Sequence, residues 1–176
     1  TERETPPLIP LPEVPIEQLD RGMYVSISGI PGLSPLYEEA LRLPQTIFTN
    51  DRSRSFSPDR IFPPRYIAHP SVNRVFARAA WNTIWLANLT GTPLVCPGHA
   101  PEDHPEIFFN LKSVSDLNLA YIWDDRKASL SEFLNEVPYG KQEPPQVYEE
   151  IIEKFGTLDG LDYCVNIIVE DFLHAE

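Results

Sequence analysis

Apolar and polar residues alternate along residues 22–28, with Met23, Val25 and Ile27 set against Tyr24, Ser26 and Ser28. That period of two predicts a half-buried strand. The turn sequence Gly29-Ile-Pro31-Gly32 ends it. Leu36–Leu43 reads as a short helix, entered near Pro35 and stopped by Pro44, and Thr46–Thr49 as a second strand. The longest periodic segment follows His69-Pro70. Val72, Val75, Phe76, Ala79, Thr83 and Leu86 share one helical face, Ala77, Trp81, Ile84 and Trp85 a second, and Gly91 stands at the end. This spacing predicts a single, largely buried helix. Its polar remnant is the stripe Arg74, Arg78 and Asn82.

Further on, Gly91–Cys96 reads as a turn and a short strand, and Leu117–Trp123 as another strand, ending in Asp124-Asp125. Ser129 and Glu132 make a capping box that opens a helix to Val137. Pro144-Pro145 opens another, which carries Val147, Tyr148, Ile151, Ile152 and Phe155 and is closed by Gly156. Tyr163, Val165, Ile167 and Val169 alternate as a last strand. Helices interleaved with strands predict an α/β fold: one three-layer domain with a mostly parallel central sheet, compatible with an antiparallel edge strand.

Prolines, nineteen in all, sharpen the domain plan. The cluster at residues 6–15 favours extended or polyproline II backbone. Residues 1–20 are therefore expected to form a proline-rich arm lying against its own domain, which occupies 21–176. His104-Pro105 reads as a turn or helix entry. The segment Val14–Val25, VPIEQLDRGMYV, resembles the opening segment found before HD-GYP phosphodiesterase domains. No His-Asp dyad or Gly-Tyr-Pro follows it, so the resemblance implies nothing about activity here.

Charge changes the functional picture. Residues 1–88 hold nine arginines and nine acids, whereas residues 89–176 hold five basic residues and seventeen acids, so the whole net charge of −12 lies in the second half. Such a balance opposes binding to a nucleic-acid backbone; it permits a basic protein partner, and keeping the domain soluble is the plainer reading. No apolar run approaches the ~18 residues of a membrane span. Cys96 and Cys164 are too few for a disulfide framework and fit a reducing, cytoplasmic setting. Homo-oligomerisation is compatible with all of this. Asn88-Leu-Thr90 is a formal glycosylation sequon at an expected helix end.

Three groups of side chains have chemistry worth testing. Cys96, His99 and His104 are zinc-ligand types across a Pro-Gly turn, with Glu102 or Glu106 nearby as a base; a buried thiol and ordinary turn residues are the plainer reading, and no cofactor is expected. Asp124 and Asp125 close an expected strand, where open α/β sheets bind ligands, as a catalytic pair; the plainer reading is a turn neutralised by Arg126 and Lys127. Arginines gather around a serine-rich loop, with Arg52, Arg54, Arg60 and Arg65 followed by Arg74 and Arg78. Arg54, Arg78 and Gly29 are candidates to hold a phosphate or carboxylate. No GxxxxGK[ST], GxGxxG or GxSxG motif is present.

These readings lead first to a protein-interaction module with an acidic C-terminal half, in which Glu149, Glu150 and Glu153 meet the partner. The alternative is a hydrolase or transferase acting on a phosphate- or nucleotide-containing small molecule, with its site between the first strand, the arginines and Asp124-Asp125. A structural subunit of a larger assembly is a third expectation. Convergence of Gly29, Arg54 or Arg78, and Asp124 on one pocket would favour the enzyme.

Overall fold

The structure is a computed structural model that describes residues 4–8, 13, 16–26, 34–52 and 57–173, without the side chains of Ser34 and Leu36. Gly29 and Arg54 lie outside the described residues, as do Ile27 and Ser28 at the end of the expected first strand.

The fold is α/β. Strands β1 (Gly22–Ser26), β2 (Thr46–Thr49), β3 (Val72–Ala77), β4 (Leu94–Pro97) and β5 (Tyr121–Trp123) form one five-stranded sheet in the order β2-β1-β3-β4-β5. All four pairings are parallel, so among the described residues neither edge strand is antiparallel. Helices α1 (Ser34–Leu41), α2 (Trp81–Leu89), α3 (Pro105–Asp116), α4 (Leu130–Phe133), α5 (Gln146–Phe155) and α6 (Gly160–Leu173), with two short 3-10 helices at Pro58–Arg60 and Pro64–Ala68, complete the described elements.

The chain winds from β1 to β2 in one direction and from β3 through β4 to β5 in the other. A constant crossover hand then places the connecting helices on opposite faces. Accordingly, Met23, Val25, Phe76, Val95 and Trp123 pack with Tyr37 and Ala40 of α1 and Leu130 of α4. On the other face Tyr24, Val75, Ala77 and Cys96 pack with Ile84 and Ala87 of α2 and Ile107, Leu111 and Val114 of α3. Three layers result. Outside α2 lies α5, whose buried Tyr148 sits edge-on to Trp85 and donates its hydroxyl to the Trp85 carbonyl at 3.2 Å.

The single helix expected over 70–91 is instead β3, a three-residue turn and α2. The physical reason is burial on two faces. A strand inside a parallel sheet is apolar on both sides, so Val72, Val75 and Phe76 show no clean period of two and imitate a buried helix. Arg74 and Arg78 therefore belong to no helical stripe. Arg74 reaches the carbonyls of Pro138 and Val137, with its Nε 2.9 Å from the Pro138 oxygen.

The expected last strand is also corrected: Tyr163, Val165, Ile167 and Val169 lie on α6. β-Branched residues lower helix propensity by less than ~0.7 kcal/mol each, and no sheet edge is paired with this segment. Of Leu117–Trp123 only the last three residues form a strand, because Leu117 caps α3 and Asn118 turns the chain at a φ of 53°.

Elsewhere the local signals hold. The Ser129–Glu132 capping box opens α4, although that helix ends at Phe133 and the chain turns before the expected Val137, and Gly156, at a φ of 75°, ends α5. After α2, Gly91 has a φ of 62° and a Cβ there would stand 2.1 Å from the Gln142 carbonyl oxygen, so only glycine fits. Described parts of the N-terminal segment touch the domain: the Glu17 carbonyl bonds His69 Nε2 at 2.7 Å, and the Pro6 and Pro7 carbonyls crowd Gly160.

Candidate functional site

The carboxyl ends of β3, β4 and β5 point to one edge of the sheet, where the β3–α2 turn, the β4–α3 loop and the β5–α4 turn emerge. The reversal of winding lies between β1 and β3. A crevice forms at such a reversal, outside the carboxyl ends of the strands.

Arg78 follows β3 directly and is only 4% exposed. Its Nη1 donates to the Gly98 carbonyl at 3.1 Å, and the guanidinium is ion-paired with Asp103, whose carboxylate also accepts from the Ala100 amide at 2.8 Å. The turn after β3 is thereby tied to the loop after β4. Asn110 adds a second tie, donating to the Ala79 carbonyl at 2.8 Å. Burial draws the Arg78 pKa below its ordinary value, against the opposing influence of Tyr37 and Cys96. Besides the ion-paired Nη2, two buried atoms of the pair, Arg78 Nε and Asp103 Oδ1, have no hydrogen-bond partner.

Helix α2 begins immediately afterwards. Its N-cap is Ala80, in extended backbone, so no side chain caps the helix, and its first turn holds no acid. The first amides of a helix lack intrahelical partners and carry the positive end of its dipole. Trp81, in that first turn, is 46% exposed and stands edge-on to Trp85.

An open cleft of about 580 Å³ lies between the β4–α3 loop and the β5–α4 turn, whereas Trp81 faces Pro6, Pro7, Leu8, Trp85 and Ile151. The cleft is lined by Gly98, His99, Asp124, Asp125, Arg126 and Lys127 among others. Asp124 accepts from Arg126 Nε at 2.9 Å and lies 3.6 Å from Lys127 Nζ. The hydrogen bond from Arg126 is the main reason its pKa falls to about 2. Asp124 is thus a fixed carboxylate in a neutralised turn and not a proton carrier near neutrality. Asp125 is exposed at the rim of the same turn.

The zinc-type residues do not converge. Cys96 is fully buried in the core, and burial pushes its thiol up to about 12. His104 is the N-cap of α3, its Nδ1 accepting from the Glu106 amide at 3.3 Å, and His99 is exposed and edge-on to Phe108. Among the described residues no three metal-ligating side chains form a group. Asn88 of the sequon is buried and its amide nitrogen donates to Ile84 and Leu119, which leaves it no access for a glycan.

Of the other candidates, Arg78 and Asp124 come to the same edge: Gly98 accepts from Arg78 through its carbonyl and from its amide donates to Trp123, the residue before Asp124, at 2.9 Å. Glu149, Glu150 and Glu153 are exposed on α5 and line no part of the cleft between the β4–α3 loop and the β5–α4 turn. Sequence reasoning missed Ala80, Asp103 and the body of α3 beyond its entry at His104-Pro105. Ile107, Leu111 and Val114, spaced i, i+4 and i+7 after Pro105, carry a signal that finds this helix.

The class defined by these observations is an α/β domain with a parallel sheet whose loops converge at the carboxyl edge. No family model matches the chain, and no curated protein matches it. Among solved structures, it is similar to the crystal structure of the glycosyltransferase SnogD from Streptomyces nogalater, with a TM-score of 0.41 and 14% identity over 70% of this chain and 37% of that one. The chain therefore spans little more than a third of that protein's length.

Proposed function

We propose that the carboxyl edge of the sheet binds a nucleotide- or phosphate-containing small molecule, and that the chain serves as a transferase or hydrolase acting on it. One observation supports this reading above the others: α2 starts at the edge with no capping side chain and no acid in its first turn, next to a buried Arg78 whose Nε is unpartnered. Uncapped amides at a helix start receive phosphate oxygens, and the buried Arg78–Asp103 pair fixes the turn that presents them.

The chemistry follows from what the edge offers. Asp124 stays ionised, so it supplies position and charge and no proton. An edge of this kind suits transfer of a group away from a phosphate-bearing leaving group. There the barrier falls because negative charge developing on the departing oxygens meets preorganised donors.

Titration with two nucleoside diphosphates of different base and with inorganic pyrophosphate, followed by tryptophan fluorescence, tests the reading, because Trp81 lies in the first turn of α2. Saturable binding tighter than about 1 mM, with pyrophosphate competing against the nucleotides, is expected. Failure of all three ligands to bind overturns it.

A further inference from the structure

Helix α6 presents an apolar stripe to solvent. Leu161, Val165, Ile168, Val169 and Phe172 are 42%, 55%, 57%, 48% and 79% exposed, at spacings that place them along one face. The residues turned toward the body, Tyr163, Cys164 and Ile167, are half-buried, with Tyr163 edge-on to Phe155 of α5. Single exposed apolar side chains are ordinary, but a continuous stripe over three turns of helix marks a surface that another element covers.

Charge selects the occupant. Residues 146–173 hold seven acids and one base, Lys154, which is itself ion-paired with Glu4. A second copy packed α6 against α6 would set acids against acids, and an anionic lipid surface would be repelled in the same way. We propose that α6 docks an amphipathic helix of another polypeptide, whose apolar face lies on the Leu161–Phe172 stripe and whose flanking lysines and arginines meet the acids of α5 and α6. No residue of this stripe lines the cleft at the carboxyl edge, and each site is tested with its own ligand, so each can fail without the other. Helix-on-helix recognition of this type uses apolar anchors at i, i+4 and i+7, and the charged rim sets orientation and partner choice.

The test uses two fluorescein-labelled synthetic helical peptides with the same leucine face, one rimmed with lysine and one with glutamate, titrated with the full chain and read by anisotropy. The lysine-rimmed peptide is expected to bind at least about tenfold more tightly than the glutamate-rimmed one, with affinity falling as salt rises. The double variant Val165→Asp with Ile168→Asp is expected to lose at least about tenfold of that affinity while keeping its melting temperature and its pyrophosphate binding. Equal binding of both peptides overturns the proposal, as does binding untouched by the double variant. Two further outcomes overturn it in favour of another occupant: self-association in sedimentation that the double variant abolishes, or co-sedimentation with vesicles of anionic lipid.

Discussion

Arg78 and Asp103 form a buried ion pair that joins the turn after β3 to the loop after β4. Removing one charge strands the other where water cannot reach it. Arg78→Met or Asp103→Leu alone is therefore expected to cost about 3–5 kcal/mol in chemical denaturation, whereas the double variant costs clearly less than the sum of the two. Additive losses would show that the two groups are energetically independent.

Ala80 offers a way to separate fold from ligand. It occupies an N-cap position with suitable extended backbone but no side-chain acceptor. Ala80→Asp supplies that acceptor and is expected to stabilise the protein by about 1 kcal/mol. The same carboxylate occupies the anion position and repels phosphate, so pyrophosphate affinity is expected to fall by more than about tenfold. A variant that is more stable yet binds pyrophosphate unchanged would place the phosphate elsewhere.

Asp124 predicts the acid side of the pH profile. Its pKa lies at about 2, below the ordinary value near 3.8, chiefly through its bond from Arg126. A carboxylate held low in the folded state contributes stability above its unfolded pKa and loses that contribution as pH falls through its folded pKa. The window here runs from about pH 4 down to about pH 2. Carboxyl carbon shifts followed by NMR are expected to show Asp124 titrating near the bottom of that window, and Arg126→Gln to move it upward. An Asp124 resonance that titrates at an ordinary position in the parent protein refutes this assignment.

Lone local signals proved legible in the sequence, and those set by tertiary context did not. Ser129 with Glu132, Gly156 after α5, and the short strand before Cys96 each depend on a few neighbouring residues, and each reads correctly. Val72–Ala77 and Val165–Val169 depend on what covers them. The first is sandwiched between two helical layers and lacks alternation; the second alternates by composition but pairs with no strand. At the candidate site, the place of Asp124 directly after a strand is legible in the sequence, because the apolar run ending at Trp123 marks the strand end. Arg78 was singled out under the wrong element, as part of a helix that is really a strand and a turn. Ala80 carried no signal at all, since its contribution lies in a missing cap, and Asp103 lay among the acids of a loop with nothing to mark it as the partner of Arg78.

The two cysteines are expected to differ sharply in reactivity. Both are free; Cys96 is buried between β4 and α3, and burial pushes its thiol up to about 12. Cys164 sits half-exposed on α6. The thiolate is the reacting form, so a neutral, inaccessible thiol is inert on both counts. One thiol is expected to react promptly with Ellman's reagent in the native protein and the second only with denaturant. Cys164→Ser should remove the prompt phase, and Cys96→Ser the denaturant-dependent one. In native protein with Cys164 blocked, the labelling rate of Cys96 then reports the opening of the sheet at β4, and it should fall when pyrophosphate is added if the ligand holds the β3–α2 turn and β4–α3 loop together. An unchanged rate under saturating pyrophosphate would separate the phosphate site from this part of the edge.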